Sequence, residues 1–340
     1  MERSTSRGAA AAGPPATSAV ALAAAAAGPS AASAIALAAA ATPARASGGP
    51  GVGLLWMALA SVLFAMMNVL VRLGSARVPW TEVAASRALV GGVIALSVAR
   101  ARGAPLVIDR RDRALGWARS LCGALAMLCT FYCLGAPTIA LGDVVTLGAT
   151  GPIFIALLSP RLLGERSGRQ LWLATLAAFA GVALVAGPTL RLAGDLALLA
   201  TLGAFFSALA MIWLRKLGAG ARRAGPEAVA LHFSIVAATV MIVLSIPTFR
   251  APDAHGALFL LGAGLTGGLA QLAMTHAYAL DQAARVGTVG YLTVILSPVL
   301  GATILDEAPS AYQLAGMALV TFAGVSLAFE ALSGGRQSAT

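Results

Sequence analysis

The sequence GVGLLWMALASVLFAMMNVLVRLG, residues 51–74, is the first of several long apolar blocks, and it decides the class of fold. Its single charged residue is Arg72, and its length suffices to cross the roughly 30 Å hydrocarbon core of a bilayer as one helix. Such blocks recur to residue 332, so that 59% of the 340 residues are hydrophobic and 11% are charged. Because soluble proteins carry about 25% charged residues and barrel strands alternate over about 10 residues, the sequence predicts an all-α polytopic membrane protein.

Ten blocks are predicted to be transmembrane helices. They lie near residues 51–73, 80–99, 114–134, 138–158, 169–187, 193–215, 226–247, 255–280, 283–305 and 310–332. Residues 1–49 are almost entirely Ala, Gly, Ser, Thr and Pro, a composition typical of a disordered tail. Their scarcity of acidic residues also fits an organelle transit peptide. Residues 334–340 are predicted to be a short C-terminal tail.

The basic residues predict the orientation in the membrane. Over the tails and predicted loops, 17 Arg and Lys residues fall on the side of both termini and four on the opposite side. Because Arg and Lys are retained in the cytoplasm, both termini are predicted to lie there, in the plasma (inner) membrane. An organelle membrane is the alternative if the tail is a transit peptide. The net charge of +10 therefore reflects topology, and no nucleic-acid partner is expected.

The sequence repeats itself at an offset of about 143 residues. The matching pairs are Val71-Arg72-Leu73-Gly74 with Arg215-Lys216-Leu217-Gly218, Glu165 with Glu307, and Ala180-Gly181-Val182 with Ala323-Gly324-Val325. The two units, residues 50–188 and 189–333, hold five predicted helices each. Since five is odd, the second unit enters the membrane from the opposite side, which gives an inverted repeat. Inverted repeats are typical of alternating-access transporters with a substrate site near the midplane.

Several short motifs lie along these units. They are RSLCG (119–123), FYCL (131–134), LGDVVTL (141–147), LGER (163–166), THAY (275–278), AARV (283–286) and YL (291–292). Together, over about 51–332, they resemble the EamA family of the drug/metabolite transporter superfamily. The resemblance implies ten helices, both termini inside and transport of small molecules; the branches that move S-adenosylmethionine or riboflavin look most similar. The sequence departs from the family pattern at Asp306, where Gly is usual, and at Ser297-Pro298, about a turn later than Gly151-Pro152.

Polar residues inside apolar spans are costly and are therefore candidate site residues. The predicted substrate-binding residues are Ser61, Asn68, Thr130, Asp143, Thr146, Gln271, Thr275, Tyr278 and Tyr291. In the first span Ser61 and Asn68 share one helix face with Arg72, and in the eighth Gln271, Thr275 and Tyr278 share another. Such faces either line a water-filled cavity and hydrogen-bond a solute or hold helices together.

Helix-breaking residues lie at matching places in the two units. The fourth span contains Gly148, Gly151 and Pro152 and the ninth contains Gly287, Gly290 and Pro298, with Gly148 and Gly290 separated by 142 residues. Matched breaks indicate a central site, because an unwound turn exposes backbone groups to a cavity. Kinks that help the helices pack are an equal alternative.

The charged residues bear on proton coupling. Arg87 lies well inside the second span, whereas Glu82 and Asp143 lie nearer to span ends. A carboxylate paired with Arg87 would stay ionised, and an unpaired buried one could carry a proton. Asp143 is the candidate for coupling to protons, with a structural role at a helix start as the alternative.

The residues together favour a secondary transporter over an enzyme. The GxGxxG match at 262–267 has no strand before it, so no nucleotide and no other cofactor is predicted, and the three cysteines form no metal motif. The predicted partners are the lipid bilayer and a small metabolite that is amino-acid-like, nucleoside-like or amphipathic and drug-like; protons and a homodimer are left open. The alternative is an intramembrane acyltransferase, since His276 and Asp281 match an H-x4-D pattern.

Overall fold

The computed structural model describes residues 51–163, 169–219, 225–280, 286 and 289–337, and these are helical apart from short connections and isolated turns. The helices are α1 (Val52–Ser75), α2 (Trp80–Ala101), α3 (Arg113–Gly135), α4 (Leu141–Gly148), α5 (Gly151–Leu163), α6 (Arg169–Ala219), α7 (Pro226–Ser245), α8 (Ala254–Leu280), α9 (Leu292–Ile304) and α10 (Ala311–Gln337). Within those residues no strand is present. Residues 1–49 lie outside the described part of the chain, as do Glu165, Asp281, Gly287 and Thr288.

Six helical segments of the described chain are long and apolar enough to cross a membrane. They are Val52–Ser75, Trp80–Ala101, Arg110–Gly135, Gly194–Leu217, Pro226–Thr248 and Ala254–Tyr278. Large side chains such as Leu198, Ile235 and Phe322 are exposed on the outside of the bundle, where lipid replaces water as the solvent. The chain is therefore a polytopic, all-helical membrane protein.

The largest helix contacts join elements that are distant in sequence. α1 packs against α8 and α9, while α6 packs against α3 and α4. α2 packs against α7 and α8, α3 also packs against α7, and α10 packs against α6. The core between them is built largely from Ala, Val, Leu and Met side chains. Each helix of the first half is thus held mainly by helices that follow residue 168.

Helix α6 differs from the sequence prediction of two spans at 169–187 and 193–215. The structure has one continuous helix of 51 residues over both. At 1.5 Å per residue it is about 77 Å long, more than twice the hydrocarbon core. Its early part packs on α10, where a Cβ at Gly181 would lie 2.9 Å from Gly316 O, and its later part packs on α3. The predicted connection between residues 187 and 193 is therefore not found, although Gly187-Pro188 is a pair of residues that disfavours the interior of a helix.

The predicted fourth span is interrupted. α4 ends at Gly148 and α5 begins at Gly151, so Ala149 and Thr150 form a turn between them. The Thr150 hydroxyl donates to the Leu147 carbonyl at 2.7 Å, which satisfies one backbone group at the break. In the predicted ninth span, regular helix begins at Leu292 and contains Pro298.

α2 and α8 approach each other through glycines. A Cβ added to Gly268 would lie 2.8 Å from the Gly91 Cα, closer than two carbon atoms can pack. Small residues allow such backbone contact between membrane helices. Gly262 and Gly264 of the same helix pack against Leu70 and Val90, so the GxGxxG match is a packing face.

Candidate functional site

Ser61 and Asn68 lie between α1 and α9. The Ser61 hydroxyl donates to the Met57 carbonyl at 2.9 Å and lies 3.3 Å from the Val289 carbonyl. The Asn68 amide nitrogen donates to the Ser297 hydroxyl at 3.3 Å. Both side chains are buried, so the polar stripe predicted on the first span links α1 to the second half of the chain.

Gln271 and Thr275 lie on the face of α8 that contacts α2. The Gln271 Oε1 atom accepts a hydrogen bond from Arg87 Nη2 at 3.3 Å, and the Thr275 hydroxyl donates to the Gln271 carbonyl at 2.7 Å. Tyr278, one turn further on, is partly buried and packs against the apolar cluster around Met57 and Ala277. On the predicted face of α8, Gln271 thus hydrogen-bonds a charged side chain of α2.

The remaining predicted residues lie around α4. Asp143, in the first turn of α4, accepts a hydrogen bond from the Gln313 amide at 2.6 Å. The Tyr291 hydroxyl donates to the Ala149 carbonyl at 3.4 Å, so it contacts the break between α4 and α5. Thr146 donates within its own helix to the Gly142 carbonyl at 2.7 Å, and Thr130 is partly buried on α3.

Two arginines that were not among the predicted site residues are buried near the same interface. Arg87 of α2 is 6% exposed and Arg119 of α3 is 2% exposed. Their guanidinium carbons lie 5.4 Å and 4.3 Å from the centre of the Phe233 ring of α7, within the range of cation–π attraction. Arg87 Nη1 lies 3.5 Å from the Met127 sulfur. Three nitrogens, Arg87 Nε and Arg119 Nε and Nη1, are buried without a hydrogen-bond partner.

Glycines make the room that these guanidinium groups occupy. A Cβ at Gly267 would lie 2.6 Å from the Met67 sulfur and 2.9 Å from Arg87 Cγ. A Cβ at Gly123 would lie 3.1 Å from Arg119 Nη1. The sequence around both arginines is therefore fitted to their side chains.

A polar link joins the two halves where α1 ends. Arg72 donates hydrogen bonds to the Ala136 and Ile139 carbonyls, in the turn between α3 and α4. Its Nε lies 3.4 Å from Glu307 Oε1, and Glu307 Oε2 accepts a hydrogen bond from the Leu141 N–H at 2.7 Å. We call these five residues the Arg72 end.

A second polar link lies at the opposite end of the helices. Arg102, which follows α2, lies 3.0 Å from Glu227 Oε1 at the start of α7. His276 Nε2 lies 3.4 Å from the same oxygen and 3.2 Å from Arg102 Nη1. His276 Nδ1 contacts the Leu272 carbonyl at 2.9 Å. We call Arg102, Glu227 and His276 the Arg102 end.

Among the described residues, neither Glu82 nor Asp143 is paired with Arg87. Glu82 instead accepts a hydrogen bond from the Arg250 N–H at 2.7 Å, and Asp143 is bound by Gln313. Arg119 was not among the predicted site residues, although a charged residue inside an apolar span is itself a signal of function. In the described ranges no group of three or more His, Cys, Asp or Glu residues is arranged to hold a metal ion.

Comparison with known proteins gives one family and several relatives. The EamA-like transporter family matches residues 51–187 and 196–329. The pseudopaline exporter of Pseudomonas aeruginosa (strain PAO1) is 29% identical over 81% of this chain and 95% of its own length. Riboflavin transporters of Vibrio cholerae and Rhizobium johnstonii are 25% and 29% identical, over 82% and 81% of this chain and 93% and 90% of theirs.

A solved structure is similar in fold. One crystal structure matches 82% of this chain and 96% of its own chain with a TM-score of 0.60 and 19% sequence identity. At this identity the likeness concerns the fold alone.

Proposed function

Because the chain belongs to the EamA-like transporter family of the drug/metabolite transporter superfamily, we propose that it is a secondary carrier that moves a small organic metabolite by alternating access. Family membership and the relatives indicate a transporter rather than an enzyme, which removes the acyltransferase alternative. The proposed carrier has two inverted halves of five spans each, with the substrate between them, and it requires α6 to turn back near Gly187-Pro188 so that its early and later parts cross the membrane separately. Both termini would be cytoplasmic.

The observation that carries the proposal is a symmetry in the helix contacts. When each helix is replaced by the one about 143 residues away in the sequence, the pairs of helices in contact become other pairs that are also in contact. The offset relates α1 to the later part of α6, α2 to α7, α3 to α8 and the early part of α6 to α10. Under this operation the contact of α1 with α8 becomes that of α6 with α3, and the contact of α2 with α8 becomes that of α7 with α3. The contacts of α2 with α7 and of α6 with α10 map onto themselves. Such a pattern is expected for two halves related by a pseudo-two-fold axis.

The polar interfaces between the halves support a central path. Asn68 with Ser297, Arg87 with Gln271, and Tyr291 with Ala149 each join residues of different halves. The interrupted span at Ala149 and Thr150 adds backbone groups to the same region. Since polar groups are costly inside a membrane, their concentration between the halves fits a solute path better than a uniform packing role.

The substrate class is proposed from the relatives and the side chains together. The relatives are named for pseudopaline and riboflavin, both of which are organic molecules rather than inorganic ions. The interface offers hydrogen-bonding amides and hydroxyls, which suit a polar or amphipathic metabolite. Riboflavin is the natural first probe because its fluorescence reports uptake directly.

The test is transport by the purified full-length chain in proteoliposomes. A metabolite library that includes riboflavin is first screened for a rise in thermal midpoint, since a ligand that binds only the folded state stabilises it. We expect at least one stabilising compound to enter proteoliposomes and not protein-free liposomes. If no compound is stabilising and none is transported, the proposed function is wrong.

Cysteine accessibility tests the path separately. Asn68→Cys, Gln271→Cys and Tyr278→Cys are made in a background that lacks Cys122, Cys129 and Cys133. We expect membrane-impermeant thiol reagents to label these positions in the bilayer and a bound substrate to reduce the labelling. Leu198→Cys, on the exposed face of α6, is the control that lipid should protect. If the three positions are never labelled, they do not line the path.

A further inference from the structure

The Arg87–Arg119 pair has a charge that the described part of the chain does not balance. Neither arginine forms an ion pair with any described residue. The contacts of Arg87 are a neutral amide oxygen and a thioether sulfur, both weak acceptors compared with a carboxylate. An arginine guanidinium does not give up its proton in proteins, so both groups stay cationic.

The buried carboxylates of the described structure are already bound elsewhere. They are Glu82, which binds the Arg250 N–H, Asp143, which binds Gln313, and Glu227, which binds Arg102 and His276. Glu307 is partly buried and binds Arg72 and the Leu141 N–H. Each of these carboxylates is therefore held by a partner other than Arg87 or Arg119.

Two neighbouring cations in a low-dielectric interior repel each other, and a buried charge without a partner is strongly unfavourable. The Phe233 ring offsets only a part of this cost. The unpartnered Nε atoms of both arginines and Nη1 of Arg119 are donors that remain for an acceptor from outside the chain. Gly123 lies against Arg119 and the Phe233 ring, and Gly267 lies against Arg87 and Met67, so a larger residue at either position would displace a guanidinium group.

We propose that Arg87 and Arg119 bind the oxyanion group of the transported metabolite, so that the substrate is a small organic anion that carries a carboxylate or a phosphate. This inference rests on the proposed transport function and adds the charge of the substrate to it. Gln271 is the positioning residue, because its Oε1 holds Arg87 in the absence of an anion. An anion that takes Arg87 from Gln271 changes a contact between α2 and α8, and therefore between the two halves.

The wild-type test uses matched pairs of anionic and neutral probes. Succinate is compared with succinamide, and flavin mononucleotide with riboflavin, by the thermal midpoint of the full-length protein and by proteoliposome uptake. We expect an anionic member to raise the midpoint and to be transported, and its neutral partner to do neither. Inorganic phosphate and chloride are measured beside them, and equal stabilisation by these ions would mean a structural ion site and overturn the proposal.

Arg119→Met and Arg87→Met separate a binding role from a structural one. Methionine keeps much of the side-chain volume and removes the unpaired charge, so we expect an unchanged or higher midpoint without ligand together with a loss of anion binding of at least about tenfold. Arg77→Gln, at an exposed site, is the control that should keep wild-type binding.

Three outcomes would overturn the inference. The first is that both arginine variants lower the midpoint without changing KM for an anion. The second is that the library screen finds only neutral or cationic substrates. The third is that the arginine variants transport an anion at the wild-type rate. In each case transport itself persists, so the proposed function stands while the anion site fails. A chain that transports nothing from the library removes both.

Discussion

The Arg72 end and the Arg102 end both join the two halves, but they use different groups. At the Arg72 end the charged side chains bind backbone: Arg72 donates to two carbonyls, and Glu307 accepts the Leu141 N–H at the start of α4. At the Arg102 end the link of Arg102, Glu227 and His276 is made by side chains. Side chains can exchange partners with water, whereas buried backbone groups must keep a partner. We therefore expect that separating the two halves costs less free energy at the Arg102 end than at the Arg72 end.

The largest effect is expected for Glu307→Ala. This change leaves Arg72, which is 9% exposed, without its anion and leaves the start of α4 without an acceptor. We expect the free energy of unfolding to fall by about 3 kcal/mol, the lower limit for breaking a buried pair, because Glu307 is partly exposed. Denaturant or thermal unfolding in detergent measures it. A loss below about 1 kcal/mol would show that the Arg72 end does not fasten the two halves.

A smaller effect is expected for Glu227→Ala at the Arg102 end. Arg102 is 20% exposed and can turn to water, so we expect a loss of about 1 to 2 kcal/mol. The same substitution at both ends makes the two variants a matched pair. The comparison is wrong if Glu227→Ala destabilises the protein as much as Glu307→Ala.

The smallest effect is expected for the surface pair of Arg77 and Asp253, which lie 2.9 Å apart with 42% and 55% of their side chains exposed. Solvent screens such a pair, so Arg77→Gln should move the thermal midpoint by less than about 1 °C. The Gly256 N–H, together with Arg77, holds the pKa of Asp253 below its usual value.

A lowered carboxyl pKa stabilises the folded state above the pKa of the unfolded chain, and this contribution is lost only as the pH falls through the folded-state pKa. The midpoint difference between wild type and Asp253→Asn should therefore be present at pH 8 and shrink as the pH falls below about pH 4. Equal midpoints at pH 8 would show that the lowered pKa of Asp253 does not stabilise the fold.

The boundaries of the well-formed spans could be predicted from the sequence, and the contacts between them could not. The first, second and seventh predicted spans end within about two residues of α1, α2 and α7, because long apolar blocks end in Pro or charged residues. The break near Gly148 and Gly151 also follows from local chemistry. The continuity of α6 does not follow from local chemistry, because the five residues 188–192 between two apolar blocks are compatible with either a loop or a helix.

The site was predictable only in part for the same reason. Polar residues on one helix face identified Asn68 and Gln271, but their partners Ser297 and Arg87 are 229 and 184 residues away. A local pattern has no information on which helices will meet. Arg119 was present in the sequence as a charge inside an apolar span, and its pairing with Arg87 around Phe233 needed the folded bundle.

The glycine contact between α2 and α8 makes the length of the Arg87–Gln271 hydrogen bond depend directly on the distance between the two helices. Gly91 lies one turn after Arg87, and Gly268 lies nearly one turn before Gln271, so the backbones touch beside the polar contact. Because no side chain separates the two backbones here, an increase in the distance between the helix axes lengthens the 3.3 Å hydrogen bond between Arg87 and Gln271. An anion that replaced Gln271 as the partner of Arg87 would therefore also change the distance between α2 and α8.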